Sequence, residues 1–129
     1  GILWVDSPEA GDYSVDSLCF SVRESGMSPL HFASPKTGHP WLTGLGQELF
    51  RHWYSSAEDH IAPLADCTVQ AKGFSTVLSR NIGESGTWEP AAVLCERRWG
   101  KGLIVLSQIP LSRMRENPAG RILLSRIRA

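Results

Sequence analysis

The sequence predicts a single layered α/β domain. The chain has 129 residues, of which 42% are hydrophobic and 20% charged, as expected for one globular domain with one core. About six short apolar runs, near residues 2, 30, 69, 77, 93 and 105, have the length of strands. About three segments between or after them carry apolar residues at helical spacing. Strands that alternate with helices favour a layered α/β sheet.

The first third of the chain predicts two strands and a helix. The apolar run 2–5 ends at Asp6 and reads as a buried strand. Four apolar residues spaced i, i+3, i+4 and i+7 then predict a helix over about 15–25. Phe20 and the β-branched valines leave a strand at 17–23 as the alternative. Residues 29–33 read as a short strand before a loop rich in turn formers.

The middle of the chain predicts one helix and two extended runs. Leucines and a tryptophan recur at helical spacing and predict a short helix over 44–54. Residues 69–71 and 74–78 read as short extended runs. Residues 81–90 read as a polar loop.

The last third predicts a β-hairpin followed by a helix. Strand 91–97, a glycine turn at 99–102 and strand 103–109 form the hairpin. The second strand begins apolar on both faces and should therefore be central in its sheet. Asn117 followed by Pro118 is a strong signal for a helix start, and the apolar residues of the inner face of this helix are Ile122, Leu123 and Ile127.

Charge is balanced in total but not along the chain. Residues 1–96 carry five basic and twelve acidic side chains, a net charge of −7, whereas 97–129 carry eight basic side chains and Glu116, a net charge of +7. We interpret this as a basic end that folds back on the acidic part or docks on another domain. The sequence lacks the alternation of aromatic and basic residues that is typical of known nucleic-acid-binding modules. No nucleic-acid partner is therefore predicted. No apolar run approaches the roughly 20 residues of a membrane span, so no membrane partner is predicted either.

Cysteine usage points to free thiols. The three cysteines are far apart and form no Cys-x-x-Cys pair, which argues against a disulfide framework and against a thiolate metal site. Cys19 and Cys95 have apolar neighbours and are predicted to be small buried residues. This pattern favours a reducing compartment such as the cytoplasm.

Motifs for common chemistries are missing from the sequence. There is no Gly-x-Ser-x-Gly or Gly-x-Cys-x-Gly nucleophile elbow, no phosphate-binding loop and no paired histidines at metal-ligand spacing. Asp59 and His60 are the one adjacent acid–base pair that we consider, and His39 reads as a structural loop residue. We therefore predict no catalytic residue, no metal and no cofactor.

Five tryptophans offer candidate binding residues. Trp4 and Trp53 have contexts typical of a core, whereas Trp41, Trp88 and Trp99 fall in predicted loops or turns. Exposed indole rings stack on sugar faces, so these three could form a carbohydrate-binding surface. The alternative is that they pack loops onto the core.

Two stretches resemble a known family. Residues 33–42 with 49–53, and 96–108 with 117–124, are similar to glutamine-amidotransferase-like domains appended to bacterial glycoside hydrolases, especially family-two β-galactosidase-like enzymes. The resemblance implies a flavodoxin-like sheet with helices on both faces and a non-catalytic role. The N-terminal part matches poorly, so we expect 1–129 to be one amidotransferase-like domain within a longer chain, with its leading βα units short or missing.

Three functions follow as hypotheses. The first is a non-catalytic accessory domain of a glycoside hydrolase that packs against other domains of the parent enzyme or against a second copy of itself. The second is a carbohydrate-binding module that uses the exposed tryptophans. The third is a small stand-alone hydrolase that uses Asp59 and His60 or an unrecognised carboxylate pair.

Overall fold

The computed structural model describes residues 1–24, 36–82 and 89–129. Strands dominate these residues, so the predicted flavodoxin-like α/β class is wrong. Nine strands are present in the described ranges: β1 (Ile2–Asp6), β2 (Gly11–Val15), β3 (Leu18–Glu24), β4 (His52–Ser55), β5 (His60–Pro63), β6 (Cys67–Gln70), β7 (Ser75–Ile82), β8 (Glu89–Trp99) and β9 (Gly102–Ser107). Two α-helices follow them: α1 (Leu111–Glu116) and α2 (Pro118–Arg128).

Seven strands form one mixed, curled sheet. Its order is β1-β9-β8-β6-β3-β2, with β7 also paired to β8. Strand β1 runs parallel to β9, and the other pairs are antiparallel. Ala92 of β8 pairs with both Val69 of β6 and Ser79 of β7, so β6 and β7 lie on opposite edges of β8. Strands β4 and β5 form a separate hairpin.

The two faces of the sheet bury two separate cores. In β9, Leu103 and Val105 face the helices, whereas Ile104 and Leu106 face the other way. The helix-side core also contains residues from the 40–65 region, from both helices and from the connection between β9 and α1, chiefly Leu42, Phe50, Trp53, Leu64, Ile109, Met114, Leu123 and Ile127. The second core, which we term the concave core, lies inside the curl and consists of Leu18, Phe20, Val22, Val69, Ala92, Cys95, Ile104 and Leu106.

Several predicted elements are confirmed. The hairpin over 91–109 is present as β8 and β9, and β9 is central because β1 and β8 flank it. Burial of β9 on both faces explains why its sequence shows no alternation. A helix begins at Pro118, as predicted, but Ile122 is exposed and Leu124 is buried in its place. The extended runs near 69 and 77 correspond to β6 and β7.

The two helices predicted in the first half are wrong. Residues 15–25 contain the strand that we gave as the alternative, because Leu18, Phe20 and Val22 alternate inward along β3. Residues 44–54 form a short 3-10 turn, Gln47–Phe50, that leads into β4. Apolar residues four positions apart fit both the 3.6-residue period of a helix and the two-residue period of a strand. Over so short a window, this spacing alone could not separate helix from strand.

Other differences concern the edges of elements. Strand β1 is an edge strand with Ile2 and Leu3 exposed, and not the buried strand that we predicted. Strands β7 and β8 extend into the predicted loop 81–90, of which 83–88 lie outside the described residues. The predicted strand 29–33 also lies outside them. Helix α1 was not predicted.

The basic C-terminal end folds back on earlier residues through backbone oxygens. Arg126 donates to the carbonyl oxygens of Trp41 at 2.6 Å and Thr43 at 2.8 Å. Arg113 donates to carbonyls in and after β5. The predicted contact between the two halves therefore exists, and backbone carbonyl oxygens accept these hydrogen bonds from Arg113 and Arg126.

The three cysteines are free and differ in exposure. Cys95 is buried in the concave core, as predicted, and burial raises the pKa of its thiol to about 12. Cys19 is exposed, which corrects the prediction of a buried residue, because it lies on the outward face of β3 opposite Leu18 and Phe20. Burial also raises the pKa of the half-buried Cys67.

Alkylation should separate the cysteines by rate. Iodoacetamide at pH 8 should modify Cys19 in the folded protein, whereas Cys95 should react at least about a hundredfold more slowly, because only a thiolate attacks and burial suppresses it. Peptide mass mapping with time measures both rates. Adding urea should make the two cysteines react alike, and equal rates in the folded protein would contradict the burial of Cys95.

Candidate functional site

A cleft lies at one open end of the curled sheet. The start of β1, the turn between β2 and β3, and the turn between β8 and β9 surround it, and its volume is about 450 Å³. We term it the Trp99 cleft. Its walls are mainly apolar and include Leu3, Val15, Leu18, Trp99 and Ile104. Leu18 and Ile104 belong to the concave core, so the cleft opens directly onto that core.

Exposed large apolar side chains are grouped around this cleft. The exposed fractions are 55% for Leu3, 63% for Val15 and 42% for Trp99. Single exposed apolar residues are ordinary, but apolar residues grouped around a concavity mark binding surfaces. The grouping therefore identifies the Trp99 cleft as the candidate site.

The β8–β9 turn sets the position of the indole. Trp99 is the last residue of β8 and pairs with Gly102. Gly100 has a φ of +57°, a conformation that glycine adopts without steric cost. A Cβ at Gly102 would lie 3.0 Å from the carbonyl oxygen of Gly1, so glycine there lets the start of β1 approach the turn. Both glycines thus help to form the cleft beside Trp99.

A second, basic cleft adjoins the first. It has a volume of about 430 Å³, shares Leu18 with the Trp99 cleft and is lined by Cys19, Lys72 and Arg97 among others. The guanidinium carbon of Arg97 lies over the Trp99 ring, 5.3 Å from its centre. An apolar surface and a basic surface therefore meet at Arg97.

Trp41 and Trp99 lie in different parts of the described structure. Trp41 is half-buried and packs against the helix-side core, with its ring 4.6 Å from that of His39. It therefore follows the alternative that we gave, in which a loop tryptophan packs onto the core. Trp99 lies at the open end of the concave core, and no described cleft holds both rings. Trp88 lies outside the described residues.

His39 takes part in a nearly buried polar cluster. Its Nδ1 accepts the backbone N–H of Trp41 at 3.2 Å, which leaves Nε2 to donate to Glu96 Oε1 at 3.2 Å. Because both ring nitrogens have partners within the fold, the residue holds its loop against β8. This geometry confirms the structural role predicted for His39.

Asp59 and His60 face different partners. Asp59 accepts a hydrogen bond from the hydroxyl of Tyr54, which raises the pKa of that tyrosine. His60 lies against Glu58, with Nδ1 3.0 Å from the Glu58 carbonyl oxygen. All these groups are exposed, and their arrangement gives no support to an acid–base pair.

Within residues 1–24, 36–82 and 89–129, no three His, Cys, Asp or Glu side chains converge as metal ligands. None of the helices in these ranges is long and apolar enough to span a bilayer. A further cleft of about 470 Å³, lined by Arg115, Arg121 and Arg128, lies along α1 and α2, and Arg121 there donates to the carbonyl oxygens of Arg115 and Glu116.

Sequence reasoning found one residue of the site and missed its neighbours. Trp99 is a sequence candidate because it falls in the predicted glycine turn 99–102. Leu3 was assigned to a buried strand and Val15 to a helix, so neither was considered. Arg97 and Lys72 are distant in sequence. The pairing of Ser75 of β7 with Glu96 of β8, together with the pairing of β6 with β3, brings the turn that carries Lys72 to the same end of the sheet as Arg97.

Known proteins provide no relative from which a role for this site could be inferred. The resemblance to amidotransferase-like domains stays a prediction, and the flavodoxin-like fold that it implied is wrong. Searches against protein-family models, curated proteins and solved structures found no match.

Proposed function

We propose that this chain is a non-catalytic binding module that holds the apolar part of a ligand in the Trp99 cleft. The observation that carries the proposal is the grouping of exposed Leu3, Val15 and Trp99 around one concavity. Its volume of about 450 Å³ falls within the range of small-molecule sites. A ligand that covered these side chains would gain about 25 cal/mol of binding free energy for each Å² of apolar surface removed from water.

The walls of the cleft favour an apolar ligand over a sugar. Sugars need several hydrogen-bonding partners besides an aromatic face. Among the described residues that line the Trp99 cleft, Asp16 is the one with a charged side chain, and the rest of the lining is glycine, aliphatic residues and the indole. Arg97 also covers part of the Trp99 ring. Carbohydrate binding remains a second candidate, supported by the exposed fraction of Trp99 alone.

A neutral fluorescent probe tests the proposal. N-phenyl-1-naphthylamine should bind the wild-type protein with increased, blue-shifted emission. Replacing Trp99 with alanine should weaken this binding about tenfold, because about 1.4 kcal/mol of aromatic contact is lost. Val15→Asp, at the end of β2, should weaken it at least as much.

Ile122 provides the matched control. Its exposed fraction, 43%, equals that of Trp99 within a percentage point, but it lies on α2 away from the cleft. Ile122→Ala should leave the dissociation constant unchanged. Equal effects of the Trp99 and Ile122 variants would refute the site, as would lack of probe binding. Binding of galactosides and not of the probe would favour the carbohydrate module.

A further inference from the structure

We infer that the ligand of the Trp99 cleft is a small amphiphilic anion, whose carboxylate, sulfonate or phosphate head binds at Arg97 and Lys72. This inference rests on the proposed function and adds the chemical class of the ligand. The aliphatic or aromatic body would lie against Leu3, Val15 and Trp99, and the head would lie across Leu18 in the basic cleft.

The position of Arg97 links the two clefts. Its guanidinium lies over Trp99, and Nη1 is 3.5 Å from the place that a Cβ would occupy at Gly73. The side chain therefore spans the space between the β8–β9 end and the turn that carries Lys72. A head group bound there would be adjacent to the apolar surface, so a short molecule could contact both.

The two cations carry charge that the described residues do not neutralise. The ion pairs in those residues join Arg23 to Asp12, and two histidines to glutamates, and they include neither Arg97 nor Lys72. Glu96 precedes Arg97 in β8, but it faces the other side of the strand and contacts His39. An anion would therefore meet two available positive charges at this point.

The chemistry of the pair favours a compact oxyanion. A planar guanidinium can donate two parallel N–H bonds to a carboxylate, sulfonate or phosphate, and a lysine adds a flexible point charge. Arg97 is partly covered by Trp99, so ordering it for binding costs less side-chain entropy than ordering a free arginine. A charged head group therefore suits the basic cleft, and an apolar body suits the adjoining Trp99 cleft.

Two probes with the same aromatic body test the head group. 1-Anilinonaphthalene-8-sulfonate is N-phenyl-1-naphthylamine with a sulfonate added. Arg97→Gln and Lys72→Gln should each weaken binding of the sulfonate about fivefold, and should change binding of the neutral probe less than twofold. Added salt should weaken binding of the sulfonate alone, because partly exposed charges are screened.

Arg98→Gln is the matched control, since Arg98 is exposed on the next position of the same strand and faces the opposite side. It should leave both probes unaffected. Neutral-probe binding that depends on Trp99, with no selective effect of Arg97→Gln or Lys72→Gln on the sulfonate, would overturn the inference and leave the proposed function standing. Failure of both probes to bind would remove both.

A chemical footprint locates the head group independently. Cys19 is exposed and lines the basic cleft. Bound sulfonate should slow its alkylation by iodoacetamide, and the neutral probe should not. Protection by neither probe would place the head group elsewhere and contradict the inference.

Discussion

Replacing Gly120 with alanine should cost about 2–3 kcal/mol of unfolding free energy, and replacing it with valine should cost more. Gly120 lies in the first turns of α2, where the chain crosses directly over α1. An added Cβ would lie 2.7 Å from the Cα of Met114, far inside van der Waals contact. The obstacle is backbone, so it cannot rotate away as a side chain could.

Helix propensity alone would favour alanine at this position. Alanine is favoured over glycine inside a helix by about 1 kcal/mol, so the substitution would stabilise an isolated α2. We expect the clash to prevail because α1 and α2 would have to separate, which would open the helix-side core at Met114 and Leu123. Urea denaturation measures the difference.

Gly46→Ala is the control for this substitution. An added Cβ there would meet the carboxylate of Glu48, with Oε2 at 2.7 Å, but that carboxylate ends a flexible, exposed side chain. Its movement should hold the loss of stability below about 0.5 kcal/mol. If Gly120→Ala were equally mild, the two helices would not be packed backbone to backbone.

Local patterns predicted the last third of the chain well and the first half poorly. The hairpin of β8 and β9 has two long apolar runs around a glycine turn, and α2 has proline at its first position, so each carries a local signal. Strand β3 has no such signal. Its partners are β2 and β6, and pairing with β6 joins residues more than 40 positions apart, which no local pattern reveals.

The candidate site shows the same division. Trp99 is identified from the sequence because it falls in the predicted glycine turn 99–102, which is a local feature. Its apolar neighbours Leu3 and Val15 come from the opposite end of the chain, and the curl of the sheet brings them to it. Position in the fold therefore decided the role of these residues, since both are of a type that usually fills a core.

Replacing Arg113 with methionine should cost about 2–4 kcal/mol of unfolding free energy. Arg113 lies on α1 and donates to the carbonyl oxygens of Ala62 at 3.1 Å, Leu64 at 3.3 Å and Trp53 at 3.5 Å. These acceptors belong to the β4–β5 hairpin and the residue just after it, which are outside the main sheet. Methionine retains the apolar stem but leaves the partly buried carbonyls without this donor.

Burial disfavours the charged form of Arg113, so its hydrogen bonds must compensate for lost hydration. Burial lowers the pKa of its guanidinium, and Glu58, Asp66 and Glu116 partly oppose that shift. The group stays charged at neutral pH, so its desolvation must be offset by the hydrogen bonds that it makes. We therefore expect its loss to release the hairpin in particular, and to accelerate amide hydrogen exchange over residues 52–63 more than in β8 and β9.

Arg115→Met is the matched control, because Arg115 lies on the same helix with its side chain exposed. It should change stability by less than about 0.5 kcal/mol and leave hydrogen exchange in the hairpin unaltered. Arg113→Lys should recover part of the loss, since an ammonium can reach fewer carbonyls than the guanidinium fork. If amide hydrogen exchange became uniformly faster throughout the molecule, Arg113 would support the whole core. If exchange in the hairpin did not change, apolar contacts alone would hold the hairpin.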